Sequence, residues 1–196
     1  MEKFKSKISS LTPKICHYRL LISTPTVVID HLAERCKNHC PYLLSVISYD
    51  MLPLIEKSRP GYSEMVKRYL DNEHIGFCII DQDCIASMAW LFYNNRPYSV
   101  KVTYYPLPPK RAWFHAAWTN PSYRGRGFHK ILIYYRALYI AKYLTEQSSL
   151  IFIEANIDPH NFVSFNNYKK CGFSENGDIY VFSFLKGCFS WKRSMS

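Results

Sequence analysis

Glycine is scarce, with seven in 196 residues, and neither of the familiar nucleotide-binding arrangements of glycine occurs. Without Gly-x-x-x-x-Gly-Lys-Ser/Thr there is no P-loop, and without Gly-x-Gly-x-x-Gly no dinucleotide fingerprint. Long apolar runs are missing too. None approaches the ~20 residues that span a bilayer, so no membrane anchor is expected. Residues 1–10 carry three lysines but no apolar stretch follows them, so no secretory leader is expected either. The seven cysteines are an odd number, which fits reduced thiols in the cytoplasm better than a disulfide framework. Cys36 and Cys40, with His31 and His39 nearby, lack the second short-spaced pair that a structural zinc site needs, so no metal is expected. Acid is the scarcer charge, 15 residues against 25 basic ones, a formal net charge of +10. A basic excess favours anionic partners without specifying fold. Its residues are scattered, clustering only at 1–14 and 186–193, and no long basic run marks a nucleic-acid arm.

What is present concentrates on one stretch, Asn120-Pro121-Ser122-Tyr123-Arg124-Gly125-Arg126-Gly127-Phe128-His129-Lys130. Before it, residues 112–119 are apolar and aromatic, as in a buried strand. After it, Phe128, Ile131, Leu132, Tyr135, Leu138 and Tyr139 recur at helical spacing. A glycine-rich turn opening a helix leaves backbone N–H groups unpaired where the macrodipole favours negative charge, which makes a phosphate site. Gly125 and Gly127 let the backbone approach a ligand, and Arg124 and Arg126 add charged donors.

Arg124 through Gly127 resemble the signature Gln/Arg-x-x-Gly-x-Gly/Ala of the GNAT family of N-acetyltransferases, with His129 at the last position in place of Gly or Ala. A second motif lies about forty residues on. Asn161, Ser164, Tyr168, Lys170, Gly172 and Phe173 are similar to the family pattern Asn-x-x-Ala-x-x-x-Tyr-x-Lys-x-Gly-Phe, with Ser164 in place of Ala. The resemblance implies an α/β fold, a mixed and mostly antiparallel central sheet with helices on both faces. It implies acetyl-CoA as acyl donor, its pyrophosphate held by Arg124, Gly125, Arg126, Gly127, Phe128 and His129. The backbone around Trp118 and Thr119 would run beside the pantetheine arm, Asn161 would hydrogen-bond that arm, and Tyr168 would protonate the departing thiolate. A phenol keeps its proton at neutral pH, as such an acid must.

Attack by an amine also needs a base and donors for the carbonyl oxygen. His115, on the strand before the loop, and Glu154, on the next strand, are the candidate bases, and each also fits a buried polar group. The aromatic residues Trp113, Phe114 and Trp118 fit core packing or the lining of a longer acyl chain.

In chain order, the sequence predicts a single domain over 1–196, with a loose leader at 1–12 and an appended tail at 187–196. Strands are expected at 14–23, 74–80, 84–93, 98–105, 150–156 and 179–185. A helix opens at Thr26 or Asp30 and reaches about His39, residues 42–57 read as helix fragments and loop, and Ser63 caps a short helix. Residues 106–110 form a stiff connection. Asp158-Pro159 reads as N-cap and first helical residue, and Gly172 as the helix stop. The expected function is transfer of an acetyl group from acetyl-CoA to a primary amine of a small molecule, an amino sugar or amino-acid derivative, by direct attack. The alternatives are a protein or peptide N-acetyltransferase and a non-catalytic acyl-CoA binder. Neither nucleic acid nor membrane is expected as partner, and a homodimer is compatible with the sequence.

Overall fold

A computed structural model describes residues 14–36, 42–102, 105–144, 151–184 and 187–193. The leader at 1–12, together with His39 and Cys40, lies outside them. β1 (Lys14–Ser23) leads into α1 (Pro25–Cys36), which Thr24 caps through its hydroxyl to the Val27 N–H. β2 (Leu43–Val46) and a 3-10 turn (Tyr49–Met51) precede α2 (Leu52–Ser58), with Pro53 in its first turn, and α3 (Ser63–Asp71). The hairpin of β3 (Ile75–Asp81) and β4 (Cys84–Asn94) turns at Gln82 and Asp83. β5 (Val100–Val102) and β6 (Tyr105–Leu107) form a small separate hairpin. β7 (Arg111–Thr119) precedes the glycine loop, and α4 (Phe128–Tyr139) follows it, ending in a π turn over Ile140–Leu144. β8 (Phe152–Ile157), α5 (Phe162–Lys169), β9 (Ser174–Phe184) and β10 (Gly187–Arg193) complete the chain.

Eight strands form one sheet in the order β10-β9-β1-β8-β7-β4-β3-β2. Neighbours are antiparallel except β7 and β8, which run parallel. Several sequence expectations change. Ser63 is the first residue of α3 rather than its cap, and its hydroxyl donates to Glu56 at 2.6 Å. Residues 42–57 contain a strand, β2, as well as helix. The single strand expected at 98–105 is two short strands, with Pro106 inside β6 rather than in a plain connection. Residues 187–193, expected as a tail, pair with β9 as an edge strand, Gly187 opposite Phe184. Asp158-Pro159 is a turn before the last helix: Asp158 Oδ1 accepts the His160 N–H at 2.8 Å, and Asn161 is the N-cap.

Apolar alternation along the strands gives each face of the sheet its own core. On one face α1, α4 and α5 bury Leu21, Phe77, Leu91, Phe114, Ile153 and Ala155 beneath Leu32, Phe128, Leu132, Tyr168 and Phe173. On the other, α2 and α3 cover Cys78, Ile85, Met88 and Trp90, while Leu107 of the small hairpin packs with Leu20, Phe92, Trp113 and Ile179. Full burial of such a side chain contributes about 1.5–3 kcal/mol. Gly76 has a specific reason to be glycine: a Cβ there would come within 2.8 Å of the Trp90 ring and of Ile47 Cβ.

Candidate active site

The site begins where the sheet comes apart. β7 and β8 pair only from Arg111 with Phe152 to Phe114 with Ala155, although β7 runs on to Thr119 and β8 to Ile157. The far half of β7 therefore keeps β4 as neighbour and loses β8. At the point of division β7 bulges. Trp90 of β4 faces His115 and Met88 faces Trp118, so Ala89 spans two residues of β7, and Ala116 takes φ +48°. A non-glycine residue in that region carries about 1–3 kcal/mol of strain, and bulges of this kind re-aim backbone groups beside active sites. Beyond the bulge, the Trp118 carbonyl accepts the Ser87 hydroxyl at 2.9 Å and the Asn120 N–H donates to the Ala86 carbonyl at 3.0 Å, both toward β4. By strand alternation the outward N–H and C=O groups facing the gap belong to Ala117 and Thr119.

The loop that follows is held on both sides. Asn120 caps the 3-10 turn Pro121–Tyr123 through the Ser122 N–H, and the Tyr123 hydroxyl donates to Asp81 at 2.9 Å. Arg126 Nη1 donates to the Tyr42 hydroxyl at 3.1 Å while its guanidinium lies over the Tyr123 ring. Arg124 is exposed. Gly125 and Gly127 adopt φ +82° and +80°, and nothing lies within 4 Å of where a Cβ would stand on either. The Gly127 carbonyl takes the Lys130 N–H at 3.0 Å, while the N–H groups of Phe128 and His129, at the very start of α4, have no carbonyl one turn back. They open on a cleft of about 520 Å³ lined by Ala117, Trp118 and Thr119, the loop, and Asn161, Ser164 and Asn167 of the last helix. Of the predicted anion residues, Arg124, Gly125, Gly127, Phe128 and His129 line this cleft, with Ala117 added, whereas Arg126 does not line it. Of the two arginines, Arg124 is the one facing solvent without the ties that Arg126 has.

His129 lines this cleft without covering the glycines. Its ring turns inward, edge-on to Tyr168 at 5.3 Å between centroids, with Nδ1 3.5 Å from the Asn167 amide. Its Nε2 is buried with no hydrogen-bond partner among the described residues. Burial first, then the positive charge of Arg136, pushes its pKa down to about 3, so the ring is neutral at pH 7. Asn161 caps α5: its carboxamide oxygen accepts the Ser164 N–H at 3.1 Å, leaving its NH2 for a ligand. Tyr168 does not line the cleft: it is buried against Phe173 and behind the His129 ring of the cleft wall, with Arg136 beside it.

His115 projects from the opposite face of the sheet. It stacks on Trp113 at 4.2 Å and meets Tyr69 edge-on. Its Nε2 is 2.8 Å from Nδ1 of His74, so one ring N–H donates to the other ring's lone pair. His74 was not evident in the sequence. It lines a recess of about 550 Å³ between α3, Arg96 and the start of β5, with Arg68, Asp71 and Glu73 in the wall. Burial pushes His74 down to about 4, and burial followed by the charges of His74 and Arg136 holds His115 well below the usual imidazole range. Both rings are neutral at pH 7 and able to accept a proton. Glu154, also on this face, is buried with Oε1 3.5 Å from Arg111 Nη1. Among the described residues no cluster of His, Cys, Asp or Glu could hold a metal, and no helix is long and apolar enough to cross a membrane.

A sheet divided along a parallel pair, with a glycine-rich helix start at the mouth of the gap, is the architecture of an N-acyltransferase. The chain belongs to the GNAT acetyltransferases: the model of the Acetyltransferase (GNAT) family matches residues 28–173. No curated protein matches the sequence. The structure resembles a tandem GNAT protein from the clavulanic acid biosynthesis pathway, with TM-score 0.62 and 12% identity over 100% of this chain and 59% of that one. It also resembles a conserved protein of unknown function from Staphylococcus epidermidis, TM-score 0.60 and 10% identity, over 93% and 66%. The chain thus spans about three fifths to two thirds of the length of these two. Aminoglycoside N-acetyltransferase AAC(6')-Iy, in complex with the bisubstrate analogue CoA-S-monomethyl-acetylneamine, matches over 68% and 91% with TM-score 0.50 and 15% identity. At these identities the likeness establishes the fold.

Proposed function

We propose that the protein transfers the acetyl group of acetyl-CoA to a primary amine of a small molecule by direct attack on the thioester. The observation that carries this reading is a coincidence around one cleft: a half-strand open along one edge and a glycine turn at a helix start, with Tyr168 buried behind His129 of the cleft wall. The N–H groups from Gly125 to His129 and the Arg124 side chain would hold the pyrophosphate. The outward groups of Ala117 and Thr119 would pair with the pantetheine arm as an added strand does, and one N–H would polarise the carbonyl. The Asn161 NH2 would donate to the same arm. Tyr168 would give its proton to the sulfur as the C–S bond breaks.

The acceptor would enter from the opposite face, through the recess that His74 lines. His115 would take the proton of the attacking amine and pass it to His74. Their depressed pKa values make the pair a conduit rather than a proton store. Between the two candidate bases we choose His115 for that link, because Glu154 shares its charge with Arg111. A recess of some 550 Å³ suits a small molecule. The acetylneamine portion of the analogue on the aminoglycoside enzyme supports an amino sugar as the first class to try. Free thiols at exposed Cys16 and half-buried Cys84 support a cytoplasmic setting.

Calorimetry with acetyl-CoA tests the donor half, beside an Arg124→Ala variant. Binding by the wild type that weakens in the variant is expected, and absence of binding by the folded wild type overturns the reading. Thiol release with amino sugars and amino acids then tests the acceptor half. Turnover of peptide amines alone would replace the acceptor class.

A further inference from the structure

Arg136 is the one described arginine with no exposed surface, and no carboxylate pairs with it among the described residues. It lies two turns into α4, on the face that buries Leu132 and Ile133. Its Nε donates to the Leu132 carbonyl at 3.0 Å and its Nη1 to the Trp90 carbonyl at 2.8 Å. Trp90 faces His115 next to the bulge, so the guanidinium reaches the point where the sheet divides. The Phe114 ring lies beneath it at 4.0 Å. Nη2 makes no hydrogen bond of good geometry. The Tyr168 side chain is the polar group beside the guanidinium, within reach of a shared hydrogen bond, and Cys171 is the other nearby group able to carry negative charge. Imidazoles lie on both sides, His129 on α4 and His115 across the sheet, and the field of Arg136 disfavours a positive charge on either.

A buried guanidinium with one donor unsatisfied is stabilised when negative charge appears next to it. In the acyl transfer read above, that charge appears on the Tyr168 oxygen. We propose that Arg136 is a positioning residue for this reaction, whose guanidinium holds the negative charge that Tyr168 acquires as its hydroxyl gives up a proton to the departing CoA sulfur. The inference rests on the acetyl-transfer reading. In the step concerned the amine nitrogen forms a bond to the acetyl carbon, and the C–S bond breaks with its electron pair on sulfur. The Tyr168 proton moves to that sulfur, giving the free thiol. The phenolate, held by the Arg136 Nη2–H, is reprotonated from solvent, which balances the proton the amine has lost. Hydrogen bonds of this kind are commonly misaligned before substrate binds and tighten as charge develops, in keeping with the idle Nη2.

A purely structural Arg136 would tie α4 to β4 and do nothing more, so the test separates the two roles. Arg136→Met, Arg136→Lys and Tyr168→Phe, with the combined variants, are assayed for kcat and for acetyl-CoA affinity. In Arg136→Met, kcat should fall ~10²-fold, the lower end for a positioned acid, with donor affinity within about threefold of wild type. Arg136→Lys keeps the charge and should recover about a tenth to a half of the activity. In the Tyr168→Phe background, Arg136→Met should lower kcat by less than about threefold, because the two act as one unit. The contact itself is read without turnover. With tyrosine labelled by 13C at Cζ, the resonance missing in Tyr168→Phe should move in Arg136→Lys and in Arg136→Met. Unchanged kcat in a folded Arg136 variant, or losses that multiply between the two sites, would overturn the proposal. An unmoved Tyr168 resonance would overturn it as well. If Arg136→Met does not fold, the lysine variants decide by the same two criteria. If the wild type acetylates no amine while the resonance moves as expected, the acetyl-transfer reading fails and the proposed role goes with it. The contact alone then survives.

Discussion

Three imidazoles packed into the protein should make its stability fall in mild acid. His129 and His74 have pKa values near 3 and 4, and His115 lies well below the usual range. All three are depressed relative to an unfolded value of about 6.5. Above that value neither state is protonated at these positions and they impose no penalty. As the pH falls below it, the unfolded chain takes up protons that the folded chain refuses, and folding loses up to about 1.4 kcal/mol per pH unit for each ring until its folded pKa is reached. At pH 5 this comes to roughly 2 kcal/mol for His129, and His115 adds a loss of the same sign. His74 is open to the recess on one side, and screening brings its share to about 1 kcal/mol. The shares of His129 and His74 alone, together about 3 kcal/mol, are a sizeable part of the 5–15 kcal/mol typical of a domain. Urea unfolding followed by circular dichroism at pH 7, 6 and 5 measures the loss. The perturbation that assigns it is His129→Asn, which removes one titrating group. Whatever the variant does to stability at pH 7, its further loss on going to pH 5 should be about 2 kcal/mol smaller than that of the wild type. An equal loss in both proteins would refute the burial argument for His129.

Gly76→Ala should destabilise by about 1–3 kcal/mol, because the Trp90 ring and Ile47 have no room to retreat, and a thermal melt unchanged from wild type would contradict the packing. Asn161→Asp keeps the capping oxygen and removes the NH2, so stability should hold while acetyl-CoA affinity falls several-fold; Asn161→Ala should also lose about 1 kcal/mol of stability. In Gly127→Ala the left-handed φ costs about 1–2 kcal/mol, and the new Cβ occupies open space in the cradle. Calorimetry should show at least tenfold weaker acetyl-CoA binding, and unchanged affinity would argue against a phosphate at this turn. His74→Gln should lower kcat with little effect on donor affinity if His115 passes its proton that way, and an unaltered kcat would remove His74 from the path.

The donor half of the site was legible because it is local. Six consecutive residues, Arg124 to His129, supply the helix start, the glycines and the charges, and backbone geometry alone brings them together. Asn161 and Tyr168 share a short helix and are equally readable. The proposed acceptor half is assembled across the sheet: His74 and His115 are 41 positions apart and meet because β3, β4 and β7 are neighbours. Strand existence was largely readable from alternation, whereas strand order was not. Nothing in residues 14–23 announces that β1 sits inside the sheet, between β8 and β9, rather than at its edge. β2 is four residues long and lies between Pro41 and Pro53, too short for alternation to outweigh the proline signals. Residues 187–193 alternate only over Phe189 and Trp191 and end on Lys192 and Arg193, too short a pattern to mark an edge strand. For the last helix two capping residues competed, and the Asp158 side chain was already closing a turn onto His160.

Arg136 did leave a signal in the sequence. It stands four positions after Leu132 and four before Ile140, in the middle of the apolar stripe of α4, where a charge contradicts the pattern. Such a contradiction is informative, because burying a guanidinium without a carboxylate costs several kcal/mol that an apolar side chain of similar length would not. The carbonyl of Trp90 recovers part of that cost, since the bulge changes its neighbours on β7 and the guanidinium supplies a donor. That explains one nitrogen, and the Leu132 carbonyl explains a second. Neither explains why the third is left idle beside a phenol, or why the charge stands where it adds to the burial that keeps two imidazoles neutral. One helix therefore carries both of the site's positive poles. Its N-terminus faces the cleft that phosphate fits, and about 12 Å further along its axis a fixed cation stands at the division of the sheet. A neutral base on one face and a developing anion on the other are both favoured by that single charge, which is a reason for the fold to tolerate it.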